Sequence, residues 1–241
     1  MRNSFTFGGR SSKDFYLHVE KFPALKASAR RRKGFYVPGR NGMLYHDENA
    51  FENHPQPYEV YFHSDIPAPQ QAHKINSWLL HSGAYQKLQD TYDPLHYRMA
   101  TFAGPLDVEN TLNRYGRCVI EFDCAPQYYL VSGDYPVIYK ESGSIWNPTL
   151  FPARPMVTVY GSGAGSVSFG SAEVQIHSIR DHLILDCERQ NAYRKNEDGS
   201  VENCNGLIYA PEFPVIEAGN SIVQISGDID RIEIIPRWWE L

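Results

Sequence analysis

The alternation of apolar and polar positions along this chain is mostly that of short β-strands. Phe5 and Phe7 alternate with polar neighbours, a break follows at Gly8-Gly9, and Asp14 to Val19 resumes, so residues 4–20 read as two short strands. Tyr58, Val60 and Phe62 alternate with Glu59, Tyr61 and His63 as in a half-buried strand. Just before it, Pro55 and Pro57 are expected to keep Glu52–Glu59 out of a central strand, because proline cannot donate to a ladder. Arg117 to Cys124 reads as a longer strand, with Cys118, Ile120, Phe122 and Cys124 on one face and Val119, Glu121 and Asp123 on the other. Pro126 is expected to end it. One segment has helical spacing: Ala72, Ile75, Trp78 and Leu79 recur at three to four residues. Pro67 and Pro69 stand in its first turn, and Gly83 is placed for a C-terminal cap.

Turn chemistry divides the chain further. Val37-Pro38-Gly39-Arg40-Asn41-Gly42-Met43-Leu44 carries two turn signals close together. Pro38-Gly39 suits the central pair of a type II turn, and Asn41-Gly42 suits a type I′ hairpin with positive φ at both residues. The stretch therefore predicts a hairpin tip with Arg40 on an exposed corner. From Ser132 to Pro155 turn formers become frequent, and beyond lie eight short apolar runs without a convincing helix: 156–160, 165–169, 173–176, 182–186, 191–194, 206–209, 221–225 and 231–235. They predict a β-sandwich. The boundary is placed at 138, giving domains 1–138 and 139–241 of a mainly β protein with one helix.

The totals are those of a globular protein, with 42% hydrophobic and 21% charged residues over 241 positions. No window has the roughly 18 uninterrupted apolar residues of a membrane helix, and the first residues lack the apolar core of a secretory leader, so folding in a cytoplasm is expected. Cys118 and Cys124 lie about 20 Å apart along one strand, too far for a disulfide. Cys187 and Cys204 are able to face each other across a hairpin, but reduced, buried thiols are expected throughout. The net charge of −5 argues against a nucleic-acid-binding surface.

Candidate chemistry is sparse. The basic run Arg30–Lys33 suits either a nucleic-acid patch or, in an acidic chain and without interleaved aromatics, a solvated loop or protein contact. His46-Asp47-Glu48 with His54 has ligand types for zinc or manganese but no fixed spacing, so a solvated loop is favoured. Asp186 and Glu188 share one strand face, the arrangement a glycosidase uses, but such i, i+2 carboxylates are commonplace. Gly161-Ser162-Gly163-Ala164-Gly165 opens no helix, so the phosphate-cradle argument fails and a flexible hairpin loop is expected. No catalytic set, metal or cofactor site is expected.

Several short motifs occur in a telling order. Phe5-x-Phe7-Gly8-Gly9 with Ser12-x-Asp14-Phe15 comes first, then Val37-Pro38-Gly39-Arg40-Asn41-Gly42, Trp78-Leu79, and Gly116-x-Cys118-x-Ile120-x-Phe122-x-Cys124-x-Pro126. Asn147-Pro148, Pro155, Asp186-Cys187, Phe213-Pro214, Ala218-Gly219-Asn220-Ser221-Ile222 and Pro236-Arg237-Trp238-Trp239 complete it. Over nearly the whole chain this order resembles the distal tail protein (Dit) family of long, non-contractile-tailed bacteriophages and prophages. The resemblance implies an N-terminal ring-forming β domain with one helix, assembling as a homo-hexamer, and a C-terminal galectin-like β-sandwich. It implies a non-enzymatic hub in the virion tail tip, joining the major tail tube protein to the tail-associated lysin, fibre or baseplate proteins. DNA would pass through the lumen without being bound. The stretch after the boundary is too short for the inserted carbohydrate-binding module some relatives carry. The basic run departs from the family pattern. On this reading Pro38, Gly39, Arg40, Asn41 and Gly42 form an inter-subunit or partner contact. The alternative is a carbohydrate-binding sandwich for host-surface saccharide, using Trp146, Tyr193 and Tyr209.

Overall fold

The computed structural model describes residues 3–241, without the side chains of residues 110–112. The chain forms two compact units that divide at Tyr128 and Tyr129, Leu241 alone returning to the first.

The first unit runs β1 (Phe5–Phe7), β2 (Arg10–Ser11), a 3-10 turn (Ser12–Phe15), β3 (Leu17–Val19), β4 (Arg30–Tyr36) and β5 (Met43–Phe51). It continues with β6 (His54–His63), α1 (Ala68–Leu79), β7 (Gln86–Asp90), β8 (His96–Thr101), β9 (Val108–Leu112) and β10 (Tyr115–Leu130). The segment expected as two strands before residue 20 is thus three short strands and a turn. The main sheet has the order β2-β1-β7-β8-β10-β6-β3, with β9 also on β10. Its two ends are joined by the 3-10 turn, so the sheet curls: Val19 N–H donates to Asn3 O at 3.2 Å, and the Ser12 hydroxyl bridges Phe5 N and Leu17 O, each at 3.3 Å. The alternation read from the sequence buries Tyr58, Val60 and Phe62 from β6 and Cys118, Ile120, Phe122 and Cys124 from β10 inside the curl, with Phe5 and Phe7. Burial pushes the Cys118 and Cys124 thiols up to about 12, so both stay protonated.

Both proline expectations in this unit fail for one reason. β6 runs through Pro55 and Pro57, but β3 pairs only with Val60–Phe62, so the prolines lie where that edge is open. β10 runs on through Pro126 to Leu130; its pairing with β6 ends at Cys124, so the edge facing β6 is open at Pro126. Helix α1 covers the curl through Ile75, Trp78 and Leu79, and the Trp78 indole N–H donates to Phe7 O at 3.3 Å. Pro69 sits in its first turn as expected, but the C-cap is Leu80, and Gly83 lies beyond the helix.

The second unit contains a 3-10 turn (Val131–Asp134), β11 (Val137–Tyr139), β12 (Gly143–Asn147), β13 (Met156–Phe169), β14 (Ala172–Asp186) and β15 (Asn191–Lys195). After these come β16 (Val201–Asn203), β17 (Ile208–Tyr209), β18 (Gly219–Ile235) and β19 (Trp239–Glu240). Six of the eight expected runs are halves of three long strands, β13, β14 and β18. The sheet order is β11-β18-β13-β14-β15-β16, but β12 pairs with the first part of β18 and β17 with the first part of β14. Irregularities in β13 at residues 160–165 divide the long strands into two halves. Val167, Phe169, Val174 and Val223 from one half share a core with Val157, Leu183, Leu185 and Ile232 from the other. The sandwich is therefore one sheet folded on itself. Gly161–Gly165, expected as a loop, forms that fold line: a Cβ on Gly165 would lie 2.6 Å from Ser226 O.

Candidate assembly interface

Among the described residues β4 and β5 form a two-stranded sheet that pairs with no other strand, and every residue of β4 is exposed. A lone hairpin is marginal in water, so its sequence must hold it. The residues expected as a loop, Arg30–Lys33 and His46-Asp47-Glu48, face each other across it. Arg30 pairs with Asp47 at 3.0 Å, Lys33 with Glu48 at 3.0 Å, and the Arg32 guanidinium lies 4.3 Å from the Tyr45 ring centre. Opposite residues share a face, so Lys33, His46, Phe35 and Leu44 project to one side and Arg32, Asp47, Tyr45, Tyr36 and Met43 to the other. Gly34 leaves the room that Met43 and Tyr45 occupy; a Cβ there would meet the Met43 methyl at 2.5 Å.

At the tip, Arg40 N–H donates to Val37 O at 3.2 Å and Gly39 has φ 77°, the type II turn expected at Pro38-Gly39. The type I′ turn does not form: Gly42 has φ 84°, but Asn41 is not in the left-handed region. Six residues separate the strands, and one type II turn within that loop already reverses the chain. All five of Pro38, Gly39, Arg40, Asn41 and Gly42 are exposed, with Phe35, Tyr36, Val37, Leu44 and Tyr45 beside them; Tyr36 is 82% exposed.

The root of this arm is anchored. Glu52 N–H donates to Ala29 O, and the Tyr128 hydroxyl to Lys26 O, each at 2.9 Å. Ser28 Oγ lies 2.9 Å from His54 Nδ1, while His54 Nε2 is buried without a partner. Burial, then the charges of Arg98 and Lys26, hold His54 below its ordinary value, so it is neutral. Behind it Arg98, itself buried, donates to Gln56 at 2.6 Å and to Asp90 at 3.2 Å, and Tyr58 donates to Asp90 at 2.8 Å. His54 is thus an anchor inside the domain while His46, Asp47 and Glu48 lie along the arm, and no group of three metal-ligating side chains occurs among the described residues.

The other candidates are not assembled into sites. Asp186 is 3% exposed and receives Arg237 at 2.8 Å; Glu188 receives the same guanidinium at 3.3 Å. Burial raises Asp186, but the bond and charge of Arg237 outweigh it and hold the carboxyl below its ordinary value. A glycosidase acid needs the opposite shift. Trp146, 66% exposed, stands on β12 and Tyr209, 58% exposed, on β17. Four strand spacings separate them, about 19 Å, and the half-buried Tyr193 belongs to the other half of the sheet. The three aromatics form no common platform.

No family model matches the sequence, and none of the curated proteins does. Among solved structures, the chain matches the crystal structure of Dit from phage SPP1, described as a paradigm of the hub adsorption apparatus in phages that infect Gram-positive bacteria. The TM-score is 0.73 at 11% identity, over 97% of this chain and 98% of that one.

The fold is that of Dit.

With that frame, most motifs that carried the resemblance turn out to hold the Dit fold together. Phe5, Phe7, Trp78 and Phe122 form the aromatic core of the first unit. Asn147 donates to Phe151 O and Ile216 O at 2.9 and 3.2 Å, and Asp186 is clamped by Arg237. The Val37–Gly42 motif, by contrast, is exposed along its whole length. Sequence reasoning found the arm's tip but not its shaft, whose strand signal is masked by charge: only Gly34 separates the four cations from Phe35 and Tyr36.

Proposed function

We propose that this protein is a structural hub of a phage tail tip, a ring of six copies closed through the N-terminal unit. The ring joins the major tail tube protein to the tail-associated lysin, fibre or baseplate proteins, with DNA passing through its lumen. The reading makes it a virion component without catalysis or cofactor. The full-length match to the SPP1 hub protein carries this reading, because both units are covered and not a common sandwich alone. The arm supports it. A ring closes through heterologous contacts, in which one surface of each copy meets a different surface of the next, and an exposed arm with an apolar tip is suited to be one of the two. Light scattering on the purified protein tests it: hexamers, or pairs of hexamers, are expected at micromolar concentration, and a strictly monomeric protein, even with tube and lysin partners present, overturns it.

A further inference from the structure

A ring interface needs a receptor as well as an arm. Between residues 30 and 51 the arm carries five cations, Arg30, Arg31, Arg32, Lys33 and Arg40, against two carboxylates, Asp47 and Glu48. Both carboxylates are engaged by Arg30, Arg31 and Lys33, and each is held below its ordinary value, Asp47 first by the Asn49 N–H and Glu48 first by Lys33. Arg32 and Arg40 are the cations left over, beside exposed aromatics. The partner surface should therefore be acidic, concave and partly apolar.

Two clefts among the described residues of the first unit bear on this. The one along α1, about 780 Å³, is rimmed by Arg10, His73, Lys74 and His81 and contains no carboxylate, so it repels a basic arm. The other, about 500 Å³, lies on β6, β9 and β10 and is lined by Glu20, Glu59, Asp107 and Glu109 together with Arg117, Pro105 and Val119. Two of its carboxylates are spent: Glu20 pairs with Arg117 at 2.9 Å and Glu59 with Lys21 at 2.6 Å. With Lys21 and Arg117 counted against the four carboxylates, the cleft keeps a net charge of about −2, carried by Asp107 and by Glu109, which stands opposite Arg117; Val119, 52% exposed, is an apolar residue left open in the middle of a long strand.

We infer that the basic arm of one copy seats in the Asp107–Glu109–Val119 cleft of the next copy. This rests on the ring reading and names its two contacting surfaces. The sign of charge matches, the cleft is concave where the arm projects, and the apolar Val119 meets the Phe35–Leu44 or Tyr36–Tyr45 side of the hairpin. Reach is sufficient: ten residues from Arg30 to Gly39 extend about 30 Å, close to the diameter of a domain of this size, about 36 Å from its expected radius of gyration. The contact also gives Arg30–Lys33 a purpose, steering the arm to its receptor.

Charge exchange tests it. Asp107→Lys with Glu109→Lys, or Arg32→Glu with Arg40→Glu, should each raise the concentration for half-assembly about tenfold or more, with far-UV circular dichroism unchanged. Combining all four substitutions in one chain should restore assembly to within about threefold of wild type, since complementary signs return. A wild-type ring that tolerates the cleft reversal, or four substitutions that add without rescue, overturns the inference and leaves the ring reading standing. A wild-type protein that never assembles overturns the ring reading itself.

Discussion

Arg237→Met removes the cation that holds a buried carboxylate, Asp186. The guanidinium reaches Asp186 at 2.8 and 3.4 Å and Glu188 at 3.3 Å. Without it, Asp186 keeps only Arg189, whose charged group is 3.9 Å away on a side chain 83% exposed, and the Arg189 N–H at 3.4 Å. Breaking a buried ion pair costs about 3–5 kcal/mol, and the surviving Arg189 places this case near about 3 kcal/mol. For a unit of this size that lowers the melting temperature by roughly 12 °C. The penalty should depend on pH. In the wild type the Asp186 pKa is depressed on folding, so its stabilisation is fully present above the unfolded value, about 3.9, and is lost as pH falls through the folded one. In the variant the buried, unpaired carboxyl is pushed up instead and protonates on mild acidification, so the difference should narrow between pH 7 and pH 4. Urea and thermal unfolding at several pH values measure it, and Asp186→Leu in the Arg237→Met background should recover about half the loss. A difference below about 1 kcal/mol at pH 7, or one that does not change with pH, refutes the reasoning.

Gly165→Ala should cost about 1–3 kcal/mol, because its Cβ would fall 2.6 Å from Ser226 O at the fold line of the sheet; urea unfolding reads this. His54 has a folded pKa below its ordinary value, so the arm's root is stable above about pH 6.5 and loosens as pH falls below it. The protection of amides 26–30 against hydrogen exchange, corrected for the intrinsic pH dependence of the exchange rate, should therefore fall near pH 5 in the wild type and stay constant with pH in His54→Gln. Arg40→Glu should leave the monomer folded and raise the concentration for half-assembly about tenfold, seen by analytical ultracentrifugation; normal assembly would leave the tip a simple turn.

What the sequence revealed depends on how far each signal reaches. Local alternation in β6 and β10 and the three-to-four spacing of α1 were legible, because each element buries one face against a single core. The long strands β13, β14 and β18 were not, since bulges interrupt the period-two pattern halfway along each and a bent strand reads as two. Pro55, Pro57 and Pro126 misled because their cost depends on whether a neighbouring strand is present at that register, which is a non-local fact. The tip Val37–Gly42 was legible from turn chemistry, and Pro38-Gly39 behaved as expected, whereas the second turn signal at Asn41-Gly42 was redundant once the first had reversed the chain. The arm's shaft and the acidic cleft were hidden for different reasons. The shaft is charged where strands are usually apolar, and the cleft gathers Glu20, Glu59, Asp107, Glu109 and Val119 from segments up to 99 positions apart.

Native mass spectrometry of the intact protein, over a range of concentration and salt, addresses the central claim most directly. A hub ring predicts a closed species of six copies, or twelve where two rings stack, that loses population as ionic strength screens the contact between arm and cleft. A single monomeric species at every concentration, with the tube and lysin partners present, would contradict it.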